Sequence, residues 1–177
     1  MNGSDIEITS AAATSGHSAA AWAVLAEAKE AMRLAGRSQW QGSYPAVSDV
    51  ETDIANGVAR VLLHGGQVVG YCALVTNGCD PAYAHITGGR WLTPEGTRYA
   101  VVHRIAIAPG MAGRHLATRW MRMLMAEARR LGCRSMRIDT NHDNVQMLRL
   151  LPQCGFSQCG TVMQSDGERI AFERVFL

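Results

Sequence analysis

The sequence predicts a mixed α/β domain, a sheet covered by helices, on three observations. Hydrophobic spacing changes from helical to extended and back along the chain. In the C-terminal half, strand-like and helix-like segments alternate, which implies a βαβ unit with a parallel strand pair. Two pairs of short extended runs flank glycine-bearing turns, the mark of antiparallel hairpins. At 177 residues the chain is long enough for one domain with a sizeable core and too short for two comfortable ones, so residues 1–177 are read as a single domain.

Residues 5–10 alternate and form a first strand. Residues 17–34 are Ala-rich with an apolar face of Trp22, Leu25 and Met32, and read as a helix. Residues 36–45 are a loop. Ser48 is a fair N-cap for a second helix, with Glu51 three residues on completing a capping box. Extended runs 59–63 and 68–75 flank His64-Gly65-Gly66-Gln67. Residues 77–98 are long and irregular, holding Pro81, Gly88-Gly89 and Pro94; such a stretch is usually functional or disordered. Residues 99–108 are an apolar run of strand length. Residues 113–131 give the clearest helix, with Leu116, Trp120, Leu124 and Ala128 on one face and Arg119, Arg122, Arg129 and Arg130 on or near the other. A short strand at 135–139 precedes a short helix at 143–151, ended by Pro152. Runs 156–163 and 169–176 flank Asp166-Gly167 as a last hairpin.

Composition closes off several classes. The hydrophobic fraction is 47% and charged residues are 18%, which argues against disorder and against a charged tail. No stretch approaches the ~20 apolar residues of a membrane span. The run 19–28 has no basic lead-in and is broken by Glu27, so it does not read as a signal peptide. The cysteines, Cys72, Cys79, Cys133, Cys154 and Cys159, are odd in number and form no C-x-x-C pair, so a reducing cytoplasm is expected. The six histidines show no metal-ligand spacing, and no metal is expected. The net charge is only +2, yet nine arginines face three acids between Arg104 and Arg149. That segment is either a polyanion-binding surface or a solvated helix face.

The chemistry concentrates at residues 104–117, where a strand runs into a Pro/Gly loop and then a helix. The first turn of a helix has unpaired N–H groups and partial positive charge, which suits a pyrophosphate. Arg114 adds a full charge. The stretches IAPGMAGRHLA (107–117), MRIDTNHDN (136–144) and CGF (154–156) together resemble the GNAT acyltransferase superfamily. Further features, QW (39–40), YP (44–45), WL (91–92), HRIAI (103–107), RIDTNHDN (137–144) and RIAFE (169–173), resemble one bacterial subgroup and cover most of the chain from residue 39.

The resemblance implies a mixed, mostly antiparallel sheet of about seven strands, with a central parallel pair and helices on both faces. It implies acetyl transfer from acetyl-CoA to a primary amine, of a small molecule or a peptide N-terminus, by direct attack in a ternary complex. The family's pyrophosphate loop reads Arg/Gln-x-x-Gly-x-Gly/Ala. Here Ala112, His115 and Ala117 occupy the three patterned positions, and only the last fits. Gly113 matches the glycine common after the leading residue. The assigned cradle is Ala112, Gly113, Arg114, His115, Leu116 and Ala117, and His115 brings a Cβ where close backbone approach favours glycine. Asn144 has the spacing of the family's asparagine near the cofactor.

Such chemistry needs a neutral amine, a donor for the developing oxyanion, and a proton or positive environment for the departing thiolate. Backbone groups of Ile105, Ala106 and Ile107 are assigned to the oxyanion and the pantetheine arm. His103 is the base, expected on the same strand face as Ile105 and Ile107; the competing role is a packed core histidine. The family's tyrosine, a proton donor, falls on Leu151. Trp40, Tyr44, Tyr83, Trp91 and Asp139 are expected to line the acceptor site, or to anchor their loops. The two departures at His115 and Leu151 sustain an alternative, a fold that binds CoA or a metabolite without turnover. A nucleic-acid module is disfavoured, because the arginines lie on a helix that covers the sheet and no nucleic-acid motif appears. The strand at 169–176 offers an edge for pairing with a second copy, as a homodimer.

Overall fold

The computed structural model describes residues 6–77 and 80–176. Strand β1 (Thr9–Ala12) is followed by helices α1 (Ser18–Leu34) and α2 (Val47–Ala55) and by the hairpin β2 (Ala59–His64) and β3 (Gln67–Val75). Then come β4 (Tyr99–Ile107), α3 (Leu116–Arg130), β5 (Ser135–Thr140) and α4 (Val145–Gln153), and the hairpin β6 (Ser157–Gln164) and β7 (Gly167–Val175). The seven strands form one sheet in the order β1-β2-β3-β4-β5-β7-β6. Every neighbouring pair is antiparallel except the central β4–β5, so the expected sheet is borne out. Strand β7, however, is paired on both sides, with β5 and β6, so the strand at 169–176 is not the free edge expected for pairing with a second copy.

Alternation along the strands divides the core in two. Trp120, Met121 and Leu124 of α3 and Leu151 of α4 pack on Leu62, Leu74, Ala100, Val102, Met136 and Ile138. On the opposite face, Ala21 and Leu25 of α1 and Val50 of α2 pack on Val61, Tyr71 and Ala106. A third cluster of Tyr83, Val101, Val162 and Ala171, with Trp91 and Tyr99 against it, extends that second face beneath the segment between β3 and β4.

That irregular segment is tied down. A 3-10 turn spans Pro81–Ala84, and Thr87 bridges to Thr161 of β6. The carboxylate of Glu173 is fully buried and accepts from the amides of Leu92 and Thr93, the hydroxyls of Thr93 and Ser135, and Arg137 Nε. Arg137 lies between the rings of Trp91 and Tyr99, at 4.2 and 3.8 Å from their centroids. The WL, RIDTNHDN and RIAFE stretches thus meet in one buried lock. Cys79 lies outside the described residues.

Several boundaries differ from expectation. The first strand begins at Thr9, and Asp5 lies outside the described residues. Helix α2 is capped at Ala46, whose amide donates to Asp49 Oδ2 at 2.7 Å, so Asp49 fills the role assigned to Glu51. Helix α3 starts at Leu116, because Gly113 and His115 both have positive φ and hold residues 113–115 out of the helix. Pro152 lies within the last turn of α4; Gly155 at φ +79° ends the helix, with the Phe156 amide donating to the Leu151 carbonyl. The last hairpin turns at Ser165-Asp166, since Gln164 already pairs with Gly167.

Candidate active site

Strands β4 and β5 pair only over Tyr99–Ser135, Ala100–Met136 and Val101–Arg137. Beyond these rungs they part, and a cavity of about 1030 Å3 opens through the gap. The edge that β4 shows to the gap follows from its other partner. The amide of Ala108 donates to the carbonyl of Val69, and Ala106 stands opposite Tyr71 in the same register. In an antiparallel ladder the intervening residues point their N–H and C=O groups the other way. The backbone of Ile105 and Ile107 therefore faces the gap, while Ala106 directs its peptide to β3.

A bulge changes the face of the residues before it. Ala73 pairs with His103 and Tyr71 with Ala106, so β4 carries one residue more than β3 across this step. Arg104 sits there at φ +54°. The extra residue inverts the alternation. Ile105 and Ile107 pack toward α3, whereas His103 lies 6.5 Å, centroid to centroid, from Tyr83 on the opposite face. The expectation that His103 shares a face with Ile105 and Ile107 is thus corrected. What holds the bulge is ionic: Arg104 donates through Nη2 to both Asp53 oxygens at 2.6 Å and through Nη1 to Tyr44 Oη at 2.7 Å. Tyr71 Oη donates to the same Asp53.

The cavity on the His103 side is a polar chamber. His103 Nε2 is 3.2 Å from Asp80 Oδ2, and the Ala82 amide donates to Asp80 Oδ1 at 2.9 Å. Burial works to raise the Asp80 carboxyl, but these hydrogen bonds outweigh it and hold the group below the usual carboxylate range. Asp139 is the reverse case. Burial holds its carboxyl above the usual range, although Tyr83 Oη donates to it at 2.9 Å. Arg169, buried at 6% exposure, pairs with Asp166. Asp80, His103, Arg104, Asp139, Gln164, Asp166 and Arg169 all line the cavity.

On the α3 side the lining is loop and helix terminus. Ile105, Ile107, Pro109, Gly113, Arg114, His115, Leu116 and Ala117 face the cavity, so the residues assigned to an anion cradle come together. Gly113 is at φ +75°, where glycine is favoured, and His115 is at φ +55°, where it is also favoured but absent. Asn144 lines the cavity and caps α4 through the Met147 amide at 3.2 Å. Its Nδ2 donates to Gln39 Oε1 at 3.0 Å. Ser38 donates to Asp143, and Asn141 to Ser38, so the loop after α1 is clasped to the loop after β5.

Of the residues expected at the acceptor site, Trp40, Tyr44 and Asp139 line the cavity. Tyr83 and Trp91 stand behind it: Tyr83 is 2% exposed and meets the chamber through its hydrogen bond to Asp139 and its ring contact with His103, and Trp91 Nε1 donates to the Tyr83 carbonyl. Leu151 is fully buried in the α3–α4 core. Sequence reasoning missed Asp80, Arg104, Gln164, Asp166 and Arg169. Asp80 alone carried a local sign, an Asp preceding Pro81 at the start of a turn.

A cationic loop at a helix start on one side, a polar chamber on the other, and free backbone amides between them suit an elongated anionic ligand meeting a second molecule through the gap. Comparison with known proteins agrees in fold. A crystal structure of a GNAT acetyltransferase from Streptococcus agalactiae is 29% identical, covers 96% of each chain and superposes with a TM-score of 0.88. An aminoglycoside acetyltransferase solved with coenzyme A shares the fold at 18% identity, a TM-score of 0.65, and 96% and 95% coverage of this chain and that one. The L-methionine sulfoximine/L-methionine sulfone acetyltransferase of Salmonella typhimurium is 33% identical over 93 residues, 51% of this chain; the match spans about half, 53%, of that relative's length. The profile of the acetyltransferase (GNAT) family matches residues 25–156, from within α1 to the end of the CGF stretch, and the chain belongs to that family.

Proposed function

We propose that the chain, as one domain, transfers an acetyl group from acetyl-CoA to the primary amine of a small molecule by direct attack in a ternary complex. The observation that carries this reading is the continuity of the cavity from the loop at residues 109–117, through the β4–β5 gap, to the chamber of His103 and Asp139. The residues fit the cofactor. Arg114 and the first-turn amides of α3 would hold its pyrophosphate, and the backbone of Ile105 and Ile107 its pantetheine arm and thioester oxygen. When bound, the cofactor supplies an activated acetyl group.

The chain's own residues do the rest. Asp139 and the other chamber carboxylates attract the ammonium form of the acceptor. His103, held through Nε2 by Asp80, keeps Nδ1 for the proton the amine must lose. The clasped loop bearing Trp40 walls the chamber on one side and limits water. The activity of the Salmonella relative on methionine sulfoximine and sulfone supports a compact acceptor that carries an amine. The free, buried thiols of Cys72, Cys133, Cys154 and Cys159 support a reducing cytoplasm.

Thermal melting with acetyl-CoA and with CoA is the first test. Ligand at 100 times its dissociation constant adds about 2.7 kcal/mol and raises the midpoint. Thiol release from acetyl-CoA is then followed with L-methionine sulfone and a panel of small amines. Failure of both cofactor forms to raise the midpoint at millimolar concentration overturns the reading. Cofactor binding without turnover on any amine moves the chain to the binding-only alternative.

A further inference from the structure

Thr140 ends β5 and is 1% exposed, yet its Oγ1 has no hydrogen-bond partner among the described residues. Burying a hydroxyl without a partner is unfavourable, so an orphan of this kind calls for a ligand or a water. Its surroundings narrow the choice. Met136 and Ile138, four and two residues earlier, pack toward α3 and α4, so Thr140 stands on that same face of β5. It lines the cavity beyond the last β4–β5 rung, together with Ile105 and Ile107. His103 and Asp139 belong to the other face.

We propose that the Thr140 hydroxyl donates a hydrogen bond to the sulfur of the cofactor; at the position of the family's tyrosine stands Leu151, whose side chain is buried and has no donor. This rests on the acetyl-transfer reading above. As the C–N bond forms, His103 takes the proton that the amine nitrogen loses. As the C–S bond breaks, the Thr140 hydroxyl meets the negative charge left on sulfur. It holds a thiolate and need not surrender its proton. An O–H donor in a site screened from water stabilises such an anion more than it does a neutral thioester.

The test reads the thiol of bound CoA. Thiolate absorbance is titrated against pH for the wild-type protein, Thr140→Val and Thr140→Ser, each saturated with CoA. In Thr140→Val the bound thiol titrates about one to two units higher, while Thr140→Ser stays close to wild type. Val is nearly isosteric and removes the orphan, so the unliganded Thr140→Val protein melts no lower than wild type. Affinity for an analogue of CoA lacking sulfur is unchanged in Thr140→Val. Equal thiol titration in wild type and Thr140→Val overturns the inference, as does an equal loss of affinity for CoA and the sulfur-free analogue, which would place the hydroxyl on the pantetheine arm. Failure of the wild-type protein to bind CoA overturns the acetyl-transfer reading itself.

Discussion

The imidazole of His103 meets the carboxylate of Asp80 at 3.2 Å, across 23 residues of sequence that include a turn and an irregular loop. Asp80 is oriented in its turn by the Ala82 amide. A carboxylate on Nε2 fixes the proton there and leaves the Nδ1 lone pair to act as base. General-base removal costs about 10²- to 10⁴-fold in rate. His103→Gln is therefore expected to lower kcat at least ~100-fold. Asp80→Asn keeps the shape and the contact with Ala82, but an amide there can present a donor to Nε2 and permit the wrong tautomer. It is expected to lower kcat about 10-fold or more with little change in KM. An equal loss from changes in KM alone would place Asp80 in substrate binding.

The fold was legible in the sequence because its signals are local. Gly65-Gly66 supplies two positive-φ residues at a two-residue turn, and the α3 stripe of Leu116, Trp120 and Leu124 repeats every four residues. The orientation of His103 was not legible. It depends on a bulge at Arg104 stabilised by Asp53, 51 residues away, and no property of the HRIAI stretch announces an extra residue. The chamber failed to show for the same reason. Its groups come from the 3-10 turn after β3, from β5 and from the β6–β7 turn, and each looks like an ordinary loop or strand residue in isolation. The motifs RIDTNHDN and RIAFE, legible only as a resemblance, supply the two partners of one buried ion pair, Arg137 and Glu173, and WL packs on the one and donates to the other.

Asp139 should show the opposed demands of stability and function. Burial holds its folded pKa above the ordinary value, so the charged form is disfavoured by the fold. The sign follows: its contribution is most favourable when protonated and is lost as pH rises through the ordinary carboxylate range to the raised folded value. Asp139→Asn keeps an acceptor for Tyr83 Oη and removes the buried charge. At pH 7 it is expected to melt at or above wild type, by up to a few degrees, while KM for a cationic acceptor rises severalfold. Parallel melting curves and steady-state kinetics decide it; a lower midpoint with unchanged KM would make Asp139 structural.

Glu173 should govern acid stability. Burial alone would raise its carboxyl, but Ser135, Thr93 and Arg137 hold it below the usual range. A depressed carboxylate stabilises the fold above its unfolded pKa of about 4.3, and that stability is lost as pH falls through the folded value. Glu173→Gln leaves the Arg137 guanidinium, 5% exposed, without its counter-charge. Breaking a buried pair from one side costs about 3–5 kcal/mol. At ~2–4 °C per kcal/mol for a chain of this size, the midpoint falls by roughly 10 °C at pH 7. The loss narrows below pH 4, where wild type has shed the same interaction. Melting from pH 3 to 8 checks both the drop and its convergence.

His115 is the cap of α3 and holds φ +55°, ψ +19°, in the loop that would receive the pyrophosphate. A left-handed residue with a Cβ is strained by about 1 kcal/mol or more. His115→Gly removes that strain but also gives the unfolded chain more freedom, worth about 0.4–1 kcal/mol in the other direction. Stability should therefore change by less than about 0.5 kcal/mol, and calorimetric midpoints within two degrees of wild type are expected. His115→Val places a β-branched side chain in the same conformation and should cost ~1–2 kcal/mol. Binding separates the variants further. With the Cβ gone, the amides of residues 115–117 can approach an anion more closely, so calorimetric titration should show His115→Gly binding CoA severalfold more tightly than wild type. Weaker binding by His115→Gly would instead show that the imidazole itself contacts the cofactor and that the missing glycine is a substitution with a use.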